Sequence, residues 1–292
     1  MLGTLRGGAT SISKYVSINE IPPLAYSMWQ SLIAATLLII MGYAKSGQLP
    51  PLVRYRRYYI ICALIGVAIP NVVFFYVVQT IPAGTMAVLL TLVPIVTYSL
   101  VVTLRMEQIN PLRVVGIGLG LGGALIIAMP QIVGKITIDW WVIIGMLCPL
   151  GYACMSVFVS RNPVTGYHVF LLAGGAHLVA FLFLLPATVL NGDFFLLWRN
   201  PGLVEALIVC HGIIAAVAYS LFFKIVELAG PVFYSFSTYI IGITGIGWGW
   251  MIFGETHPEH FWFAVALIFT GLTIVSTRRG SKSVKGSAGD LT

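Results

Sequence analysis

The sequence predicts an all-α integral membrane protein with ten transmembrane helices, arranged as two inverted five-helix repeats. Its composition, the length of its apolar runs and a pair of repeated junctions lead to this prediction. Of the 292 residues, 59% are hydrophobic and only 9% are charged, and the mean hydropathy is +0.97. An average soluble domain carries roughly 25% charged residues. A single soluble core stops growing near this chain length, so the excess apolar surface must face lipid.

The length of the apolar runs favours helices over a β-barrel. Only helices and closed barrels satisfy their backbone hydrogen bonds within lipid. The runs continue for about 20 residues, as a membrane helix requires, and do not alternate over about 10 residues as barrel strands do. Prolines, glycines and charged residues separate the runs. The predicted spans are residues 2–17, 22–43, 58–79, 83–104, 111–130, 137–160, 166–190, 203–225, 231–253 and 259–277.

The first span is short and carries two basic residues, Arg6 and Lys14. It lacks the charged start, apolar centre and small-residue cleavage site of a signal peptide. Either the chain contains only part of its first membrane helix, or this helix is strongly tilted and faces a cavity; we expect the former.

Basic residues predict the orientation in the membrane, because Lys and Arg accumulate in short cytoplasmic loops. With the N-terminus inside, twelve of them fall in cytoplasmic intervals and only two, Lys135 and Arg199, fall outside. We expect a multi-pass protein of the cell inner (plasma) membrane with both termini in the cytoplasm. The same clustering beside apolar spans argues against nucleic-acid binding, despite a net charge of +7.

Two junctions in the chain resemble each other. An apolar helix ends at Glu107 and another at Glu255, and a proline follows each glutamate within about one helical turn. The next apolar helix then carries a glycine 16 residues after the glutamate, at Gly123 and at Gly271. Such an ordered set of matches indicates an internal repeat.

The repeat divides the chain into residues 1–132 and 133–277, followed by a disordered cytoplasmic tail at 278–292. Each copy contains five spans. Because five is odd, the second copy must enter the membrane with the opposite orientation. Inverted repeats with a binding site at their interface are common in secondary transporters.

Several of these features together resemble a known family. The stretch Arg6-Gly7-Gly8 with Lys14, the helix from Pro82-Ala-Gly to Pro94, and the two glutamate junctions are similar to the EamA-type ten-span carriers of the drug/metabolite transporter superfamily. The resemblance covers nearly the whole chain and implies a ten-helix carrier. The family includes exporters of amino acids and related metabolites, and the YddG-type exporters of aromatic amino acids form one branch. Arg6 stands where such carriers commonly have tryptophan.

Polar residues inside the spans are the candidates for substrate binding, because their burial in lipid is costly unless they face a cavity or another helix. Arg6, Thr10 and Lys14 recur every four residues. Lys14 is the first candidate to hold a substrate carboxylate and Arg6 the second; the alternative for Lys14 is that it snorkels to the interface. The candidate substrate-binding residues are Lys14, Asn71, Phe75, Gln79, Tyr98, Tyr152, Met155, His211, Tyr219, Phe223, Tyr234, Ser235 and Tyr239.

Two of these groups have open alternatives. Asn71, Phe75 and Gln79 share one face of the third span, where the amides could instead hydrogen-bond one helix to another. His211 is a candidate proton carrier because an ordinary histidine pKa lies near neutrality. Its alternative role is that of a hydrogen-bonded packing residue.

The distribution of charge also excludes some functions. No Asp or Glu lies in the middle of a span, which counts against a proton-coupled exporter of cationic drugs. A carrier of phosphorylated solutes would want several deep basic residues, and only Arg6 and Lys14 qualify. His211 has no carboxylate partner visible in the sequence, so we expect no catalytic residues. No cofactor and no metal site are predicted.

The resulting hypothesis is a monomeric secondary transporter that exports a small amphipathic metabolite by alternating access. Amino acids, including aromatic ones, are the expected substrates. Protons are a candidate coupling ion, and the lipid bilayer is the surrounding partner. A carrier of phosphorylated or nucleotide-like metabolites and a membrane scaffold without transport are the alternatives.

Overall fold

A computed structural model describes residues 2–80, 86, 89–132, 140–199, 202–253 and 260–276. These residues form helices joined by turns and short loops, and no β-strand occurs among them. We number the helices α1 (Leu2–Ile18), α2 (Pro23–Ser46), α3 (Arg56–Ala63), α4 (Ile69–Thr80), α5 (Val93–Thr103), α6 (Pro111–Ile132), α7 (Trp140–Gly145), α8 (Leu147–Arg161), α9 (Val169–Leu190), α10 (Leu203–Ser235), α11 (Ser237–Phe253) and α12 (His260–Ser276).

Five segments of the described chain are long and apolar enough to cross a membrane. They are Pro23–Ser46, Arg56–Thr80, Ile143–Arg161, Val169–Leu190 and Leu203–Ser235. Shorter apolar helices occur at Val93–Thr103, Pro111–Gly123 and Trp262–Gly271. Many large apolar side chains on these helices point outward, among them Ile40, Leu182, Leu190, Ile213 and Phe269. Such a surface suits lipid and not water, and the prediction of an all-α multi-pass membrane protein is confirmed.

A π-helical turn at Leu64–Ala68 joins α3 to α4. The proline just after this turn, Pro70, has no N–H to donate, so it leaves the carbonyl of Gly66 without its usual partner. The hydroxyl of Tyr219 on α10 donates to that carbonyl at 2.8 Å. Proline is tolerated inside membrane helices where a neighbouring helix or a local π adjustment satisfies the freed groups, and here both occur.

Helix α10 contains a sharp kink at Gly230, where φ is 82° and ψ is 171°. This left-handed backbone conformation favours glycine, which has no Cβ to clash. Pro231 follows directly and cannot donate a backbone hydrogen bond. The predicted break between the spans at 203–225 and 231–253 is therefore found at Ala229-Gly-Pro.

The helices associate in a regular set of pairs. Helix α1 packs on α11, and α5 packs on α8; α2 packs on α9, and α6 packs on α12. The last pair approaches closely because its contact contains glycines. A Cβ atom added at Gly123 would overlap the carbonyl of Ala264, and one at Gly271 would overlap the carbonyl of Gly116.

Side-chain contacts define two ends of the bundle. At one end, Trp29 near the start of α2 donates its indole N–H to the carbonyl of Phe195 at 3.1 Å. At the other end, the Lys45 ammonium lies 5.1 Å from the ring centroid of Phe170, at the start of α9. The loop after α2 and the loop before α9 therefore lie on the same face of the bundle, and the segment 191–199 lies on the opposite face.

Candidate functional site

A cavity with an accessible volume of about 80 Å³ lies in the middle of the bundle. Residues of α1, α2, α4, α8, α10 and α11 line it, together with Leu90 just before α5. Its polar lining residues are Arg6, Thr10, Ser13, Gln30, Asn71, Tyr152, His211, Tyr219 and Thr238.

Arg6 is the cation of this cavity, and three tyrosines surround it. Its Nη1 donates to the hydroxyl of Tyr234 at 3.2 Å. The guanidinium carbon lies 5.3 Å from the ring centroid of Tyr152 and 5.1 Å from that of Tyr219. Cation–π contacts of this kind stabilise a desolvated guanidinium. Within the part of the chain that the structure describes, no carboxylate lies within ion-pair distance of Arg6.

The neighbours of Arg6 place it deep in the bundle. Tyr219 is 16 residues after Leu203 and 11 residues before the kink at Gly230. At 1.5 Å per residue, these separations are about 24 Å and about 16 Å. An arginine beside Tyr219 is therefore too far from either end of α10 to reach water by snorkelling past it, and its charge faces the cavity.

A chain of hydrogen bonds runs along the cavity wall and links four helices. The Tyr152 hydroxyl donates to Asn71 Oδ1 at 3.3 Å, and Asn71 Nδ2 donates to Gln30 Oε1 at 3.0 Å. Gln30 Nε2 lies 2.9 Å from His211 Nε2, and His211 Nδ1 lies 2.5 Å from the hydroxyl of Tyr26. The chain thus joins α8, α4, α2 and α10.

The neighbours of His211 fit its neutral form. The Gln30 carbonyl oxygen accepts from Asn71, so the Gln30 amide nitrogen faces His211 Nε2, and an amide nitrogen can only donate. A neutral ring that accepts at Nε2 and carries its proton on Nδ1, towards the Tyr26 oxygen, is consistent with these contacts.

The rest of the cavity wall is apolar and aromatic. The rings of Tyr26 and Phe75 stack with centroids 4.2 Å apart at an interplanar angle of 17°. Phe74 packs edge-on against Phe75 at 5.8 Å. Leu90 and Ile214 complete this side. The cavity therefore has a charged region at Arg6, an amide network and an apolar wall, which together suit an amphipathic solute.

The structure brings several of the predicted site residues together. Asn71, Phe75, Tyr152, His211 and Tyr219 line the cavity. Tyr234 stands behind its lining and contacts Arg6. These residues come from distant parts of the sequence and lie on α4, α8 and α10.

The other predicted site residues make contacts outside the cavity lining. The Tyr98 hydroxyl accepts the backbone N–H of Asn110 at 2.7 Å and so anchors the loop after α5. The Tyr239 hydroxyl donates to the carbonyl of Ile117 at 3.3 Å. Three more lie against helix backbone or packing partners: Gln79 at the Ser17 carbonyl, Ser235 at the Val232 carbonyl and Phe223 against Phe222.

Met155 and Lys14 also lie outside the cavity lining. Met155 fills the space left by the missing side chain of Gly66. Lys14 is half-buried on α1, eight residues beyond Arg6 and about 12 Å further along the helix. Arg6, not Lys14, is thus the basic residue of the stripe that faces the cavity.

Sequence reasoning missed two residues of α2, Tyr26 and Gln30. Gln30 sits in the middle of an apolar span, and Tyr26 lies one turn before it. An amide at that depth was itself a signal, because buried polar groups in membranes usually face a partner or a cavity. Both residues contact His211.

Comparisons with known proteins support this architecture. Residues 2–129 match the EamA-like transporter family. No curated protein matches the sequence. A crystal structure of a protein with 16% sequence identity superposes with a TM-score of 0.73, covering 94% of this chain and 96% of the other.

The structural likeness shows a shared fold. The family match covers the first part of the chain and supports a membrane transporter of the drug/metabolite transporter superfamily. Neither comparison identifies a substrate.

Proposed function

We propose that this protein is a secondary transporter of the cell inner membrane that exports small amphipathic carboxylates by alternating access. Amino acids, including aromatic ones, are the expected class. The observation that carries this proposal is the Arg6 guanidinium, which faces a deep cavity, is enclosed by tyrosine rings and has no carboxylate partner among the described residues. Guanidinium binds a carboxylate through two parallel hydrogen bonds. The aromatic wall at Phe74 and Phe75 would receive the apolar part of the solute.

The pairing of the helices supports two inverted repeats, at 1–132 and 133–277. In that arrangement a twofold axis relates the first span to the sixth, and the fourth to the ninth. The same axis relates the contact of α1 with α11 to the contact of α8 with α5, and both contacts occur. The pairs α2–α9 and α6–α12 map onto themselves. Rocking of one repeat against the other would expose a central site to each side in turn.

The charge distribution supports a cytoplasmic location for both termini. Lys45 at the end of α2, Arg54 in the loop after it, and Arg56 and Arg57 at the start of α3 form a basic cluster. This cluster shares a face of the bundle with the loop before α9, next to Arg161. The segment 191–199 on the opposite face carries only Arg199. Because Lys and Arg mark cytoplasmic loops, the face with Lys45 is the cytoplasmic one.

The proposal is tested by a flux screen in vesicles reconstituted with the full chain. Labelled amino acids and related carboxylates are loaded, and their exit is compared with that from protein-free vesicles. We expect saturable exit of aromatic or other amphipathic carboxylates. Sugar phosphates and nucleotides serve as competitors, and we expect weak competition because Arg6 is the cavity's single cation among the described lining residues. Exit equal to that of protein-free vesicles for every solute would refute the transport proposal.

A further inference from the structure

We propose that the cavity selects solutes with a net charge of −1, and that it prefers carboxylates without an amino group over zwitterionic amino acids of the same shape. The class includes 2-oxo, 2-hydroxy and unsubstituted carboxylic acids with an apolar or aromatic tail. This inference rests on the proposed transport of amphipathic carboxylates; within that class it ranks solutes without an ammonium group ahead of the amino acids expected above.

The charge of the cavity favours a solute with a single negative charge. With His211 in the neutral form that its contacts with Gln30 and Tyr26 fit, Arg6 carries the one formal charge among the described lining residues. A bound carboxylate therefore brings the site to neutrality. A bound zwitterion leaves one positive charge without a partner in a region of low dielectric constant. Burial of an unpaired charge is strongly unfavourable.

A substrate ammonium would need a carboxylate to pair with. The chain has nine acidic residues, and none lies within the interior of a predicted span. Those in the described part of the chain have local roles or are exposed. Glu107 pairs with Arg113, Glu227 pairs with Lys224 at 3.0 Å, and Glu205 accepts the Gly202 N–H at 3.0 Å. No carboxylate among the described residues is thus available to an ammonium in the cavity.

The remaining hydrogen-bond acceptors of the described cavity lining are neutral hydroxyl and amide oxygens. The hydroxyls of Thr10, Ser13 and Thr238 donate to carbonyls of their own helices, at 2.6, 2.8 and 2.7 Å. They present only neutral lone pairs to the cavity. The amide oxygens of Gln30 and Asn71 already accept hydrogen bonds from within the wall. Neutral oxygens can accept hydrogen bonds from an ammonium, but they do not neutralise its charge, and a buried charge without a charged partner is costly.

The test compares three solutes that share a phenylethyl group: 3-phenylpropanoate, phenylalanine and 2-phenylethylamine. Binding to the purified full chain in detergent is measured by the concentration dependence of Tm, since a ligand that binds only the folded state raises it. Flux of each solute is measured in vesicles. We expect the Kd of 3-phenylpropanoate to be about tenfold lower than that of phenylalanine, and no shift with the amine, because a second cation beside Arg6 is repelled.

The outcomes separate this inference from the proposed function. If phenylalanine binds as tightly as 3-phenylpropanoate or more tightly, and is transported, the selectivity inference is wrong while the transport proposal stands. If no solute of the trio binds or crosses, the inference is also wrong, and the wider flux screen decides the transport proposal separately.

A designed change of charge provides the second arm. Asn71→Asp introduces a carboxylate into the cavity wall beside Tyr152, and we expect it to reduce the preference for the monoanion to about unity or to reverse it, because the zwitterion then finds a partner. Asn162→Asp makes the same change at the exposed end of α8 and should leave the ratio unaltered. Thr10→Asp, one turn from Arg6, replaces Asn71→Asp if that variant does not fold. An unchanged ratio in a folded cavity variant would overturn the inference.

Discussion

At the scale of residues, the proposed carboxylate binding depends on which basic side chain of α1 reaches the cavity. Arg6 and Lys14 belong to the same stripe, so their spacing alone predicts similar exposure for both. The structure separates them through residues far away in the sequence: Tyr152, Tyr219 and Tyr234 surround Arg6. The polar stripe could be predicted from the sequence. The choice between its two cations could not, because it depends on contacts between the two halves of the chain.

Carboxylate binding should depend on the shape of the Arg6 side chain as well as on its charge. Arg6→Lys retains the cation but loses the planar fork that binds a carboxylate and lies against tyrosine rings. We expect flux of a carboxylate at subsaturating concentration to fall about tenfold, since each charged hydrogen bond contributes about 1.5–3 kcal/mol. Arg57→Lys, at the exposed start of α3, is the matched control. Equal flux in wild type and Arg6→Lys would show that the fork does not bind the substrate.

At the scale of elements, the turn between α3 and α4 connects the two halves of the chain. Pro70 frees the carbonyl of Gly66, and Tyr219 on α10 satisfies it. The sequence predicted one continuous third span. Pro70 is a sequence signal for an irregular helix there, but the hydroxyl that compensates for it belongs to a residue 153 positions away in the chain. The break at Gly230 and Pro231 could be predicted from the sequence alone, because glycine followed by proline interrupts a helix whichever residues pack beside it.

Removal of the Tyr219 hydroxyl should weaken this connection. Tyr219→Phe removes the side-chain donor that lies 2.8 Å from the Gly66 carbonyl. We expect the free energy of unfolding to fall by about 1–2 kcal/mol. The control is Tyr239→Phe, which removes a longer bond, 3.3 Å, to the Ile117 carbonyl inside a regular helix. Denaturant titration of both purified variants measures the difference. A loss for Tyr219→Phe no larger than for Tyr239→Phe would contradict this role of the turn.

Helix α8 approaches the same turn so closely that a larger side chain at Gly66 should lower the stability of the protein. Gly66→Ala would place a methyl group onto the Met155 side chain. We expect a loss of about 1–3 kcal/mol, as for other overpacked cores. Gly118→Ala, on α6, meets no atom within 4 Å and should be tolerated.

A double variant identifies the cause. Met155→Ala removes the side chain that the new methyl group would meet, so Gly66→Ala should cost less in that background. Thermal unfolding of the four proteins measures the coupling. If the two substitutions are additive, steric overlap with Met155 is not the reason for the loss.

At the scale of the whole molecule, the sequence predicted more of the architecture than of the site. Apolar runs of bilayer length predicted where helices occur, and the described helices lie within or close to those runs. Lateral packing is not encoded in such a pattern. This is why Gln30 and Tyr26 on α2 were missed, and why Tyr98 and Tyr239, which face α6 and its preceding loop, were predicted at the cavity.

The proposed topology predicts which loops react from each side of the membrane. Single cysteines at Gln48 and Asn162 should be labelled by a membrane-impermeant reagent only from the cytoplasmic side. Cysteines at Glu20 and Asn191 should be labelled only from outside. The background carries Cys154→Ser and Cys210→Ser, because Cys62 and Cys148 are buried in the fold. Labelling of Gln48→Cys and Asn191→Cys from the same side would refute the topology.

The central claim is that Arg6 forms the anion-binding centre of a transport cavity, and ligand-induced stabilisation tests it most directly. The Tm of wild type, Arg6→Gln and Lys14→Gln is measured in detergent against increasing 3-phenylpropanoate. At a ligand concentration about 100 times Kd, binding adds about 2.7 kcal/mol to the stability of the folded state. We predict that wild type and Lys14→Gln show this saturable rise and that folded Arg6→Gln shows none. An equal rise in Arg6→Gln would contradict the claim.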